Sequence, residues 1–441
     1  MGQKLKRFFS NKTIVFCLIF TILFLLAGYV KWFEIAQGMV SILAFIILPV
    51  QSVFSFFLYL HCFTYSAFGA RYPISFIILF AVFVIVLLVK YCIGLKKNRY
   101  HFYKPIVLAI SIFVIFYVLI SFAYDIYFEA FCYIEYFILA YLFLAMRGEF
   151  DIRQAMKYLT ASLIISCTLS LIALGLPNYG YEVLYGSSRF NAFFHHPNYL
   201  YMVALFVLTY FFYRYLTHNL RTIKFVILYV VCATIVLSTL SKTGIVLLAL
   251  FSILFFILFL RENFKKRIII VLIILLIMTV IALICHKFVF ALIDRFVVNN
   301  GDIVNSLLTG RDEIWLEYLK ESVKDPLTFL FGHGLVAQEV YIPSQQMTRA
   351  SHNLYLLLLY RFGLIGLISL IYIVFLFIKN LNKERPKFLA SLPLIWYLIE
   401  SLCDNTFKPY NFMLMILSIM ILFMDTKDKT MRNKESVEGK V

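Results

Sequence analysis

Two arginines and one histidine stand out because of their positions: Arg189 and His352 lie just before long apolar runs, and Arg311 starts a helical pattern within a long polar segment. Arg189 belongs to SRFNAFFHHPNYL, Arg311 to TGRDEIWLEYL and His352 to SHNLYLLLLY. Arginine makes bidentate, permanently charged contacts with phosphate oxygens, and a neutral histidine can take a proton from a hydroxyl near neutral pH. Together they suit transfer of a group from a phosphate-linked donor to a hydroxyl.

Several polar neighbours are candidates for a supporting role. They lie in the same stretches or at the ends of other apolar runs: His196, Asn198, Lys242, His333 and Asn353. Helix entrances on one side of a membrane can converge, so these groups are expected to line a cavity at the outer surface.

Each candidate also has a structural interpretation. The arginines could extend to lipid headgroups, His195 and His196 could form an amphipathic pair at the membrane interface, and His352 could cap a helix. A zinc site would combine His195, His196, His333 and His352, but these residues lack the usual spacing of zinc ligands. The sequence therefore predicts neither a metal nor another cofactor.

The composition indicates which elements must position these groups. Of the 441 residues, 63% are hydrophobic and 14% are charged, and the mean hydropathy is +0.91. The apolar residues form blocks of about 17–25, the length that crosses a bilayer as a helix. The candidate spans are 13–30, 74–95, 105–123, 126–146, 157–175, 197–216, 223–239, 243–260, 268–285, 353–378, 388–402 and 411–424. We predict an all-α polytopic membrane protein, with residues 1–441 as a single integral membrane domain.

The positive charges predict which loops face the cytoplasm. The net charge is +17, and most Lys and Arg residues lie in short loops and in the tail, which the positive-inside rule places in the cytoplasm together with both termini. A nucleic-acid surface would need these charges on one folded face, so no nucleic-acid partner is predicted. An even number of crossings must precede the KKNR loop. The apolar run 36–66, interrupted by Pro49, therefore either does not cross the membrane, which gives 12 helices, or crosses it twice, which gives 14.

This topology leaves two polar loops outside the cell, at 176–196 and 286–352. The longer loop contains a helical pattern with acidic residues at its start and Pro326 just beyond its expected end. One face of this pattern carries Trp315, Tyr318, Leu319 and Ser322. We predict an external amphipathic helix that lies against the membrane domain or on the membrane surface. Long loops with a helix of their own are more often functional than incidental.

Other reactive residues have simpler explanations. The eight cysteines lie in or at the ends of apolar runs without metal-ligand spacing, as small core residues do. Asp125, Glu129 and Glu135 lie near or within a membrane helix, which would ordinarily suggest a transport pathway, and Arg361 could neutralise one of them. A transporter, however, would carry charges deep in several helices and only short external loops.

The motifs RFNAFFHHPN, TGRDEIWLEYL, FGHG and SHNLYLLLLYRFGLIGLI, in this order, resemble those of the O-antigen ligase and Wzy-type polysaccharide polymerase superfamily. The resemblance covers residues 155–425, and the first third of the chain is similar only in hydropathy. It implies a GT-C-like membrane fold and an inverting glycosyltransferase that uses neither a nucleotide sugar nor a metal.

By position, the resemblance also implies roles for particular residues. Arg189 and Arg311 would hold the pyrophosphate of an undecaprenyl-diphosphate-linked oligosaccharide, and His352 would act as base or positioning group for the acceptor hydroxyl. Many relatives carry an acidic residue where this chain has Arg361, and an arginine where SKTG places Lys242. The implied partners are the lipid-linked donor, the bilayer and other assembly proteins, such as a flippase and a chain-length regulator.

The same scaffold serves polymerases and ligases. Richness in Lys, Ile, Phe and Tyr fits an AT-rich genome, common among Gram-positive bacteria, which lack a lipid A acceptor. This favours a polymerase of capsular polysaccharide or exopolysaccharide at the outer face of the cytoplasmic membrane. The alternatives are an O-antigen-ligase-type transferase, a flippase or other transporter of lipid-linked oligosaccharides, and a structural partner of a synthesis complex.

Overall fold

Helices account for most of the described part of this protein. The computed structural model describes residues 11–27, 30, 32–63, 74–118, 127–172, 180–184, 187–194, 196–260, 311–335, 339–381, 388–404 and 409–424, with short helical pieces between 268 and 283. His195, Asp125 and the segment 286–310 lie outside the described residues.

The helices follow the apolar runs of the sequence. They are α1 (Lys12–Ala27), α2 (Trp32–Ile47), α3 (Val50–Leu60), α4 (Ile74–Lys96), α5 (Lys104–Phe113), α6 (Tyr127–Ala145), α7 (Ile152–Ile172), α8 (Pro197–Leu216), α9 (Thr222–Ser238), α10 (Lys242–Leu260), α11 (Arg311–Ser322), α12 (Pro326–Phe331), α13 (Leu354–Leu381), α14 (Leu392–Cys403) and α15 (Pro409–Met424). Two antiparallel hairpins accompany them, β1 (Gly180–Leu184) with β2 (Ser187–Ala192) and β3 (Val340–Ile342) with β4 (Met347–Arg349).

Five of the described helices are long and apolar enough to cross a bilayer. They are Ile78–Lys96, Ile152–Ile172, Pro197–Leu216, Lys242–Leu260 and Leu354–Asn380. The other apolar helices have stretches of 10–17 residues that the structure describes in full. The structure is therefore consistent with the predicted helical membrane protein, while 12 or 14 crossings stay a prediction.

Pro49 breaks the apolar run 36–66, as predicted. Helix α2 ends at Ile47 and α3 begins at Val50, because proline has no N–H to donate and clashes with the preceding turn of a helix. Both helices pack against α1.

The chain divides into two compact units. The first comprises Met1–Phe76 and Arg153–Leu307, and the second comprises Ile77–Ile152 and Leu308–Val441. The first unit therefore holds α1–α3, α7–α10 and the hairpin β1–β2. The second holds nearly all of α4, then α5, α6, α11–α15 and the hairpin β3–β4.

Aromatic side chains form much of the core of the first unit. Phe212, Phe225 and Phe255, from α8, α9 and α10, have ring centroids 5.0–5.8 Å apart. Just after β2, the ring of Phe193 lies 4.9 Å from that of Phe24 in α1. The Phe193 contact anchors the first hairpin to α1.

The helix predicted in the longer polar loop is present as α11. Ile314, Tyr318 and Ser322 are buried, whereas Leu319 is 42% exposed. The packed side chains follow a spacing of four residues, and contact of the remaining apolar side chains with the membrane surface stays a prediction. Pro326 lies beyond the end of α11, as predicted, and also begins the next helix.

Helix α12 begins with its own cap. The carboxylate of Asp325 accepts hydrogen bonds from the backbone N–H and the hydroxyl of Thr328, at 2.9 and 2.7 Å. These bonds hold the pKa of Asp325 below its usual range.

Candidate functional site

Arg189 connects a hairpin to two helix ends in the first unit. The residue lies on β2 and is only 5% exposed. Its Nε donates to the carbonyl oxygen of Thr239, at the end of α9, at 2.9 Å. Its Nη2 donates to Oδ1 of Asn198, in the first turn of α8, at 3.2 Å. These two hydrogen bonds hold the guanidinium in a fixed position.

Asn198 connects Arg189 to the start of α10. Its Oδ1 also accepts a hydrogen bond from the hydroxyl of Ser241 at 3.2 Å. The Ser241 oxygen in turn accepts from the N–H of Gly244 at 3.4 Å, so Ser241 caps α10. Lys242 is the first residue of that helix. The first unit thus gathers three predicted site residues at a helix N-terminus, whose partial positive charge favours anions.

His196 has a local structural role. Its Nδ1 accepts a hydrogen bond from the N–H of Asn198 at 3.1 Å, so it caps α8. The zinc alternative also needs His195, which lies outside the described residues. Among those described, no group of three His, Cys, Asp or Glu side chains is placed to hold a metal.

His352 faces a carboxylate in the second unit. Its Nδ1 lies 3.6 Å from Oδ1 of Asp404, which follows α14. The imidazole is 43% exposed and the carboxylate 10% exposed. His352 has a φ of 46°, a left-handed conformation that is uncommon for residues with side chains and that occurs often at functional sites. The arrangement combines an accessible histidine with a partly buried acid.

Arg311 lies at the same helix end as Asp404. Its Nη1 donates to the carbonyl oxygen of Cys403, the last residue of α14, at 2.5 Å. A cation at this position also compensates the partial negative charge of the helix C-terminus. The end of α14 therefore brings Arg311 and His352 together. Asp404 was not among the predicted site residues, although an acidic residue directly after an apolar run is a visible signal.

Asn353, and not His352, caps α13. The Oδ1 of Asn353 accepts a hydrogen bond from the N–H of Leu356 at 3.1 Å. The segment before it is fixed by α11, since Nε1 of Trp315 donates to the carbonyl of Ser351 at 2.9 Å. The same packing thus positions both Arg311, at the start of α11, and His352.

A small hydrophobic core supports this arrangement. Its buried members are Ile314, Tyr318, Val340, Ile342, Leu357 and Tyr360. They join α11, the second hairpin and the first turns of α13. Burial raises the pKa of the Tyr318 hydroxyl, which donates to the carbonyl of Arg349 at 3.1 Å.

His333 and Arg361 both belong to the scaffold of this unit. The His333 ring lies 4.4 Å from that of Tyr360, and its Nε2 lies 3.2 Å from the carbonyl oxygen of Glu321. Arg361 is buried, and its Nη1 donates to the hydroxyl of Tyr133 at 3.2 Å. Neither contact places these two residues beside His352.

Comparison with known proteins agrees with the motif analysis. A family model described as O-antigen ligase matches residues 225–371, about a third of the chain. The matched segment contains Lys242, Arg311, His333 and His352 and ends within α13. The predicted resemblance to the O-antigen ligase and Wzy superfamily is confirmed, and it supports glycosyl transfer by a membrane enzyme of ligase or polymerase type. No curated protein matches the chain.

Proposed function

Taking the match of residues 225–371 to the O-antigen ligase family as the premise, we propose that this protein is a polysaccharide polymerase. It joins undecaprenyl-diphosphate-linked oligosaccharide repeat units into a capsular polysaccharide or exopolysaccharide. The observation that carries the proposal is the end of α14, where Arg311 meets the Cys403 carbonyl and Asp404 meets His352. A cation for a leaving diphosphate and a histidine–carboxylate pair for a hydroxyl are the two main requirements of this reaction.

In the proposed reaction, a hydroxyl oxygen of the acceptor sugar attacks the anomeric carbon of the donor. The bond from that carbon to the diphosphate oxygen breaks, and lipid diphosphate leaves with the bonding electrons. The hydroxyl proton passes to His352. Attack from the side opposite the diphosphate inverts the anomeric configuration.

Asp404 orients the base in this scheme. A carboxylate beside Nδ1 favours the tautomer that carries its proton there, which leaves Nε2 to accept the proton of the hydroxyl. The carboxylate then stabilises the imidazolium that forms. Catalytic hydrogen bonds are often long before substrate binds, so a separation of 3.6 Å is compatible with this role.

Positively charged groups are proposed to bind the diphosphate. Arginine carries five N–H donors in a planar fork, so Arg311 can bind a phosphate oxygen as well as a carbonyl. In the first unit, Arg189, Lys242 and the N-terminus of α10 supply positive charge and backbone N–H groups, which together favour phosphate. These groups would stabilise the charge that develops on the leaving group.

Deletion of the gene tests whether the product is a polymer. A strain without a polymerase should accumulate single lipid-linked repeat units, since their extension has stopped. Accumulation of full-length lipid-linked polymer would indicate a ligase instead. An unchanged profile of lipid-linked glycans and surface polysaccharide would refute the proposal.

The proposed orientation predicts which loops can be labelled from outside intact cells. Cysteine at Ser187 or Ser344 of a Cys-free variant should react with an impermeant thiol reagent, because both loops are proposed to face outward. Cysteine at Asn219, in the exposed loop between α8 and α9, should react only after lysis. The opposite pattern would reverse the orientation and contradict a reaction at the outer face.

A further inference from the structure

Helix α13 is broken where the FGHG motif meets it. Gly363 lies inside the helix with φ 60° and ψ −170°, and Gly332, which follows α12, has φ 75° and ψ −176°. This region of backbone conformation is essentially restricted to glycine. The break divides α13 into an outer segment, residues 354–362, and an inner segment, residues 364–381.

The two glycines face each other across a gap too small for a side chain. A Cβ on Gly332 would lie 2.4 Å from the carbonyl oxygen of Arg361 and 2.5 Å from the nitrogen of Gly363. A Cβ on Gly363 would lie 2.5 Å from the nitrogen of Gly332 and from the carbonyl group of Leu330. All of these neighbours are backbone atoms, so none can move away by rotating a side chain.

The same contact pairs backbone groups next to the break. The carbonyl oxygens of Tyr360 and Arg361 accept hydrogen bonds from the N–H groups of His333 and Gly334, both at 2.8 Å. An interrupted helix leaves such groups without their usual partners, which is costly near a membrane. The FGHG motif therefore stabilises the break in α13.

The outer segment consequently packs against α11 and against the residues that follow α12. The ring of Tyr360 contacts His333 on one side and lies 5.0 Å from the ring of Tyr318 in α11. Arg311 begins α11, and His352 precedes the outer segment. The positions of these two residues therefore depend on how the outer segment is held.

We infer that Gly332 and Gly363 form an interlock that positions His352 relative to Arg311. This inference rests on the proposed function. By pairing the break in α13 with the end of α12, the interlock holds the outer segment against α11 and α12. Gly332 and Gly363 are thus positioning residues, which act on the reaction through His352.

The test compares alanine variants of the two glycines in purified enzyme reconstituted in lipid. Gly332→Ala and Gly363→Ala should each lower kcat by roughly 10²-fold, the effect of displacing a reacting group by about 1 Å. The KM for the lipid-linked donor should change little. Gly334→Ala is the matched control, because its φ is also positive, at 74°, but nothing lies within 4 Å of the added Cβ. Equal losses in all three variants would contradict the interlock.

A double variant separates positioning from a general structural effect. In a His352→Ala background, Gly363→Ala should cause little further loss, since the group that it displaces is already absent. If the double variant instead shows the product of the two single losses in kcat, the result would contradict action through His352. Normal activity of His352→Ala alone would instead overturn its role in the proposed function, whatever the glycine variants do.

Two measurements keep the inference testable if the glycine variants do not accumulate. In the wild-type protein, the amide hydrogens of His333 and Gly334 should exchange as slowly as those of α11, and fast exchange would overturn the interlock. His333→Ala, which removes the ring contact without filling the gap, should lower kcat at unchanged KM. An unchanged kcat in that variant would contradict the inference.

Discussion

Replacement of His352 by alanine is expected to slow glycosyl transfer by roughly 10²–10⁴-fold, the usual contribution of a general base. A sugar hydroxyl that keeps its proton is a poor nucleophile, and alanine cannot accept that proton. Because the imidazole is 43% exposed and Asn353 caps α13, the protein should fold normally. Donor binding should also stay near normal, since the proposed diphosphate contacts lie on other residues.

Four further variants make this prediction specific. His352→Gln can keep a hydrogen bond but cannot take a proton, so it should stay largely inactive. Asp404→Asn should cause a smaller loss, and the double variant with His352→Ala should be no slower than His352→Ala alone, because the two residues act as a unit. His218→Ala, at an exposed histidine between α8 and α9, is the matched control and should keep full activity.

Lysine in place of Arg189 or Arg311 is expected to lower the rate by about 10²–10³-fold, comparable with the loss of one donor to a developing negative charge. Lysine keeps the charge but cannot reproduce the planar fork of donors. At position 189 it also cannot bond the Thr239 carbonyl and the Asn198 amide in the same geometry. The measurement is the initial rate at saturating donor, normalised to folded protein.

Arg349→Lys is the matched control for the arginine variants. Arg349 lies in the second hairpin, where its Nε donates to the side chain of Gln345 at 3.2 Å, and no role in the reaction is proposed for it. It should therefore keep near-normal activity. Full activity of both Arg189→Lys and Arg311→Lys would exclude a fork-like contact with the diphosphate.

Local sequence patterns predicted most of the helices but not the hairpins. Apolar runs specify membrane helices because every backbone group must be paired within the segment, and Pro49 marks a break for the same reason. Arg189 was expected just before a helix, yet it lies on β2. Strands this short depend on tertiary packing, here of Phe193 on Phe24 in α1 and on Phe63 just after α3, and leave little periodic signal.

The candidate site was predicted as a set of residue types and not as contacts. His352 and Arg189 could be identified because each lies just before an apolar run, and Arg311 because it starts the helical pattern of the long polar loop. The pairing of His352 with Asp404 joins residues far apart in the chain, which no local spacing reveals. The contact between Gly332 and Gly363 is equally non-local, although the FGHG motif and the spaced glycines of α13 were visible in the sequence.

The most direct test uses the purified protein in lipid with undecaprenyl-diphosphate-linked repeat units as the only glycan substrate. With no nucleotide sugar and with a metal chelator present, the protein should produce a ladder of longer lipid-linked glycans and release one undecaprenyl diphosphate for each bond formed. The new linkage should have the opposite anomeric configuration to the donor. Unchanged repeat units in this assay, from folded protein that binds the donor, would contradict a polymerase.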